Sequence, residues 1–286
     1  MSTCVAPLLV GCDFSSAPSR RKPIVLALGE PCGDGKAVRL TGIETFDTLP
    51  AFGAWLAGPR RWVGGFDLPF GLPRELIETL GWPTQWPAWL AHYRALTRAE
   101  IRQRFAAFCA ARPAGGKFAH RATDGPAGSS PSMKWVNPPV AFMLHAGVPL
   151  LVDAGAHLPG LIDGDTGRVA LEAYPGLTAR EVLGRRSYKA DDRACQTPER
   201  AAARAGLLAA LLSGTADGGR PLRTGLRLEA DAARQAALVA DAAGDRIDAV
   251  LCLLEAGAAW RAHAAGDADY GLPPRRDRLE GWITGA

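Results

Sequence analysis

Trp62-Val-Gly-Gly-Phe-Asp67 is a largely apolar run that ends on a single carboxylate, and Leu-Pro-Phe-Gly-Leu-Pro73 halts it at once. Such a run, bounded by Pro and Gly, predicts a buried strand that delivers Asp67 to a sheet edge, with Pro73 opening the helix that follows. The same construction occurs earlier, at Pro7-Leu-Leu-Val-Gly-Cys-Asp13-Phe-Ser-Ser, and later, at Gly167-Arg-Val-Ala-Leu-Glu172-Ala-Tyr-Pro175. Strands that each end in an acid predict one metal-binding edge.

The remaining elements arrange themselves around these strands. Leu8–Asp13, Ile24–Leu28 and Ala37–Thr45 read as short strands separated by turn material, Ser15–Lys22 and Glu30–Lys36, so an antiparallel meander is expected. Thr48–Ala57 has near-helical apolar spacing and predicts a crossover helix, after which the Asp67 strand should run parallel to one already in the sheet. Pro73–Arg112 is helical in pattern, and Pro113–Met133 is a long irregular loop of the kind that is functional or mobile. Asn137-Pro-Pro139 starts a short helix through His145. Leu158–Ile162 and Arg168–Leu171 predict a hairpin leading into Glu172. Helices are expected over Thr178–Leu183, Thr197–Leu212, Leu228–Ala243 and Asp245–Ala264, with a surface tail over Gly271–Ala286. No repeat or linker interrupts the chain, which predicts one domain over residues 1–286 with a helical insertion and long loop at about 73–146.

Net charge is +4, 33 basic against 29 acidic residues, too mild to imply nucleic acid by itself. If several carboxylates gather around a cation, the rest of the surface is more basic than that sum. Cys4, Cys12, Cys32, Cys109, Cys195 and Cys252 are scattered without a Cys-x-x-Cys pair, which argues against zinc or a disulfide framework and for a reducing cytosol. Asp13 interrupts the first apolar stretch too early for a signal peptide, and no apolar run is long enough for a bilayer span. A cytoplasmic protein with no membrane partner is expected.

Antiparallel strands, a helix, a parallel strand, another strand and a final helix describe an RNase H-like layout: an α/β fold with a mixed sheet flanked by helices. Asp13, Asp67 and Glu172 stand at expected carboxyl ends, where open α/β sheets gather functional groups, and Asp248 lies in the first turn of the last helix. Hard oxygen donors without Cys or a clear His partner suit Mg²⁺ or Mn²⁺. Such a set fits two-metal phosphoryl transfer, with the carboxylates offsetting the charge of paired dications. Local explanations compete: Asp13 caps a turn with Ser15 and Ser16, Asp67 forms a turn before Leu-Pro, and Asp245 as N-cap makes Asp248 half of a capping box. Either Asp245 or Asp248 could be the helix ligand.

Gly11-Cys-Asp-Phe-Ser-Ser, Gly65-Phe-Asp-Leu-Pro-Phe-Gly-Leu-Pro, Glu172-Ala-Tyr-Pro and Asp245-Arg-Ile-Asp-Ala-Val-Leu together resemble the predicted RNase H-like nuclease family also called domain of unknown function 429. The resemblance covers about Leu8 to Trp260. It implies an RNase H-like fold with Asp13, Asp67, Glu172 and Asp248 as catalytic metal ligands, and a nuclease. The family's commoner first motif continues with Gly and Trp after the acid, where this chain has Phe14-Ser-Ser-Ala. Lys117, His120, Arg121 and Lys134, interleaved with Phe118 and Trp135, combine cations with aromatic faces as single-strand binders do, and Arg185 and Lys189 follow Glu172 closely. These six form the expected substrate-binding set, although a histidine placed like His120 is more often a plain loop histidine. Asp13-Phe-Ser-Ser also faintly resembles the first phosphate loop of actin-like phosphotransferases, but no second phosphate loop follows. A non-catalytic nucleic-acid or protein-binding module that keeps the acidic edge is the third expectation.

Overall fold

A computed structural model describes residues 6–32 and 35–286; Cys4 and the middle of the Glu30–Lys36 turn lie outside the described residues. Strands β1 (Leu8–Asp13), β2 (Ile24–Cys32) and β3 (Ala37–Phe46) form the expected antiparallel meander. Thr48 Oγ1 accepts the Ala51 N–H at 3.3 Å and caps helix α1 (Leu49–Leu56). That helix carries the chain back across the sheet, so β4 (Trp62–Asp67) returns parallel to β1. Two further strands, β5 (Ala156–His157) and β6 (Asp165–Glu172), extend the sheet beyond β4, and β7 (Arg227–Glu229) closes the other side. The result is a seven-stranded mixed α/β sheet in the order β5-β6-β4-β1-β2-β3-β7, flanked by helices.

Side chains alternate across the strands and so feed two cores. Val10, Cys12 and Phe66 face one core, closed by α2 (Arg74–Thr79), α3 (Trp86–Arg94), α4 (Arg98–Ala110) and α6 (Val140–Asp153). Trp82, Trp86 and Trp89 are buried there, with Trp89 stacked on Tyr93 at 5.5 Å, so they pack and do not offer a platform for bases. The short α5 (Asp124–Ala127) is the regular part of the long loop. Leu9, Val63 and Leu171 face the second core, covered by α7 (Pro175–Leu183), α8 (Pro198–Ser213), α9 (Ala232–Ala240) and α10 (Asp245–Ala264).

Four expectations need correction. Helix α6 runs past His145 to Asp153, because Leu144, Val148 and Leu151 continue its apolar face. The expected hairpin is absent: β5 pairs parallel to β6, and Leu158 bridges Ile162 within the connection. Leu228 belongs to strand β7 rather than to a helix, since its short apolar signal sits next to an Ala-rich one. The tail is not surface: Leu279, Glu280, Ile283 and Thr284 are buried, and the Thr284 N–H donates to the Glu172 carbonyl at 2.9 Å.

Helix α10 lies close to the sheet because β1 and β4 present glycine beneath it. A Cβ on Gly11 would stand 2.0 Å from the Ala249 carbonyl oxygen, and one on Gly65 would stand 2.6 Å from that of Cys252. Both contacts are with backbone, so neither can be relieved by a rotamer change. Gly11→Ala is therefore expected to lower unfolding stability by about 3 kcal/mol or more. Gly42→Ala, whose Cβ meets only Leu28 at 3.9 Å, should stay within about 1 kcal/mol of the parent. Urea denaturation measures both, and equal losses would contradict the close contact.

Candidate functional site

Asp13 and Asp67 are direct neighbours: in the parallel β1–β4 ladder Asp13 pairs with Asp67, and Gly11 with Gly65. Residues two apart share a face, so both acids point to the same side as the two glycines, toward α10. The α10 start is set by Gly244 (φ 80°), and the helix brings Asp245 and Asp248 over the strand ends in its first turn. Gly244 takes the N-cap place, so Asp245 and Asp248 do not form a capping box.

The carboxylates on this face differ in their partners. Asp248 is fully buried; it accepts the Tyr188 hydroxyl at 2.5 Å and the Lys189 ammonium. Asp245 accepts Lys22 Nζ at 2.7 Å, and the same ammonium reaches Asp191 at 2.8 Å. Neither Asp13 nor Asp67 accepts a hydrogen bond from another described residue. Burial, then Asp248, Asp245 and Asp67, push the Asp13 carboxyl well above the usual range, with Lys189 only partly offsetting them. Burial likewise pushes Asp67 up to about 8, against the pull of Lys189 and with the help of Asp248, Glu255 and Glu172. Burial works against the Lys189 ammonium, but Asp248, Tyr188 and Asp13 outweigh it and raise its pKa. Lys189 on Asp248 and Lys22 on Asp245 are thus the cations that offset this cluster.

Glu172 is not brought to the same place. It pairs with Phe66, one position short of Asp67, so its side chain faces the opposite side of the sheet. There Arg121 grips both oxygens at 2.7 and 2.8 Å, and the Phe70 N–H donates to Oε2 at 2.9 Å. Arg121 is itself buried, also holds Asp124, and donates to the Glu280 carbonyl at 3.1 Å. The tail closes over this group, with Gly281 beside the Glu172 carboxylate. Arg121 therefore serves a buried ion-pair network and is not an exposed cation waiting for substrate.

A cavity of about 220 Å³ opens at the carboxyl ends of β4 and β6, lined by Asp67, Glu172, Tyr174, Arg121 and Lys189 together with apolar Met143. Lys189 and Arg121 are thus the predicted cations that reach it; Lys117, His120, Lys134 and Arg185 do not line it. Lys117, His120 and Arg185 are exposed, and the aromatic faces beside Lys117 and Lys134 are occupied, since Trp135 packs edge-on against Phe105 and Phe118. Sequence reasoning missed Tyr188, whose adjacency to Lys189 was its one visible signal. It also missed Glu255, a buried α10 acid that burial raises to about 7 while Arg223 and the Tyr174 N–H oppose the rise.

The donor set suits a hard divalent cation in kind, because the uncommitted atoms at Asp13 and Asp67 are carboxylate oxygens. Among the described residues, however, no group of three or more His, Cys, Asp or Glu side chains is gathered so as to hold a metal ion. The third acid, Asp248, is bound to Lys189 instead. Among the described residues no helix is long and apolar enough to cross a membrane. No protein-family model, curated protein or solved structure matches the chain.

The raised Asp67 pKa has a measurable sign. An unfolded aspartate ionises near pH 4, whereas folded Asp67 keeps its proton to about 8. Between those values folding takes up a proton, so stability is greatest below the window and is lost as pH rises through it, by up to about 1.4 kcal/mol per unit. Asp13 adds a slope of the same sign. Urea midpoints taken across this window should fall with pH in the parent and fall less steeply in Asp67→Asn. Parallel slopes would show that Asp67 ionises normally in the folded protein.

Proposed function

We propose that this chain is a divalent-metal-dependent nuclease, hydrolysing phosphodiester bonds in nucleic acid on an RNase H-like fold. The observation that carries the proposal is the in-register pair Asp13 and Asp67, uncommitted to any described donor and facing Asp248. Support for the RNase H-like assignment comes from the order of the central strands. The antiparallel β1–β2–β3 ladder is followed by parallel β4 and β6, with acids at the ends of β1 and β4 and a third on the closing helix.

Asp13 and Asp67 would be the residues to hold Mg²⁺ or Mn²⁺, which would supply Lewis acidity and an activated water. The work of the chain is to keep these carboxylates in a partly dry place where charge is poorly screened. Coordination would compete with protons on Asp67, raised to about 8, and on Asp13, raised in the same direction, so binding would tighten as pH rises. Asp248 would join such a site only without its Lys189 contact, and Lys189, which lines the cavity, would then be the cation available to a phosphate oxygen there. Glu172 has a different part: bound to Arg121, it fixes the wall of the cavity from the opposite side of the sheet.

A second reading, a binding module without catalysis, has its own support. Asp248, Asp245 and Glu172 are already paired with Lys189, Lys22 and Arg121, so much of the acidic edge is neutral without a metal. Calorimetric titration with Mn²⁺, followed by cleavage assays on single-stranded, duplex, hybrid and branched substrates, separates the two. The nuclease predicts Mn²⁺ binding that Asp67→Asn abolishes, with cleavage reduced by at least about 100-fold. Lys189→Met should tighten Mn²⁺ binding. Glu172→Gln should leave metal binding within a few-fold while lowering stability by about 3–5 kcal/mol, as expected for breaking a buried pair. A parent protein that binds no Mn²⁺ at about millimolar concentration, yet still retains nucleic acid, would replace the nuclease with the module.

A further inference from the structure

A second cavity, of about 270 Å³, lies at the other end of the sheet from the acids. It sits where β4 and β6 begin and α10 ends, and Arg61, His157, Thr166, Trp260, His263 and Tyr270 line it. No Asp or Glu is among its lining residues. Arg61 makes no side-chain hydrogen bond or ion pair with another described residue. Asp165, an acid close enough to feel the Arg61 charge, is already committed to the Gly167 N–H at 2.8 Å and to Arg168 at 2.9 Å. The Nδ1 of His157 is buried without a hydrogen-bond partner; the exposed Asp163 stands 3.7 Å away, beyond hydrogen-bond reach.

The opposite wall is aromatic. His263 stacks on Tyr270 with centroids 4.1 Å apart and planes 4° from parallel, and Trp260 lies 5.7 Å from His263. Tyr270 is buried and holds φ 59°, the left-handed region that a bulky side chain rarely adopts, at a cost of about 1–3 kcal/mol. The packing of the buried ring against His263 has to offset that cost. The carboxyl end of α10 carries roughly half a negative charge and opposes an anion here, but the full charge of Arg61 exceeds it.

We propose that this cavity is a separate binding site for a small phosphate-bearing molecule with a flat ring, its oxyanion on Arg61 and its ring against the aromatic wall. The size admits a molecule no larger than about a mononucleotide, and an unpaired guanidinium is a strong recogniser of phosphate. The site shares no lining residue with the acid-edge cavity, so it stands or falls independently of the nuclease proposal.

The test is calorimetric titration of the full chain, in chelator, with adenosine 5′-monophosphate, adenosine and inorganic phosphate. Adenosine 5′-monophosphate should bind, and each fragment should bind more weakly. Arg61→Gln should weaken the nucleotide by about tenfold or more. Ala268→Trp, a substitution at an exposed lining position, should abolish binding by filling the space, whereas Asp67→Asn should leave it unchanged. No binding by the parent at about millimolar concentration overturns the proposal. So does binding that survives both Arg61→Gln and Ala268→Trp, or that disappears in Asp67→Asn.

Discussion

The contact between α10 and bare backbone is what the acid edge depends on. A helix normally stands about 10 Å from a sheet because side chains keep them apart. Gly11 and Gly65 remove those side chains at two adjacent strands, and the helix settles against the peptide groups. The first turn of α10 is thereby lowered onto the ends of β1 and β4, where Asp13 and Asp67 emerge. Strand spacing of about 4.8 Å makes two ionised carboxylates there repel by about 3.5 kcal/mol at an effective dielectric of 20. Burial adds to that cost, which pushes the Asp13 and Asp67 carboxyls toward their neutral forms and is offset in part by the cation Lys189. Charge, packing and glycine placement are one problem with one solution.

The opposite face is built on a different principle. Glu172 and Asp124 share Arg121, and the donors around them are backbone groups of Phe70 and the closing tail. Each partner in that group is satisfied, so it behaves as rigid wall. The edge near Asp67 is less settled by comparison, with carboxylates at Asp13 and Asp67 that lack donors among the described residues and a half-exposed lysine on Asp248. One cavity meets both surfaces, which is the arrangement expected where a fixed support must hold a reactive group in place.

Much of the central architecture was legible because it is written in strong local signals. The limits of β1 and α10 could be read directly from apolar runs ended by an acid and from helical periodicity. The parallel return of β4 followed from the helix placed before it. The site was legible only in part. That Asp13 and Asp67 lie side by side follows from matching Gly-x-Asp endings, since equal spacing from a shared glycine face fixes a common register. Glu172 has no such marker, and a shift of one residue in pairing turns a side chain to the other face; strand-end position alone cannot reveal that. Strand β7 and the buried tail were missed because short or polar segments acquire their place from tertiary contacts rather than from propensity. Arg121 and Lys189 illustrate the same limit: both carry charge, and only the fold shows which acid each one neutralises.

The position of α10 in the chain has a consequence for how the protein comes into being. The first strand of the sheet waits for a helix that follows almost the whole of the rest of the sequence. At about 5–20 residues per second, a ribosome needs tens of seconds or less to supply it, and during that time Gly11 and Gly65 line an uncovered trough. Until then that face has only α7, α8 and α9, made shortly before, to cover it, and the glycine trough itself fills last.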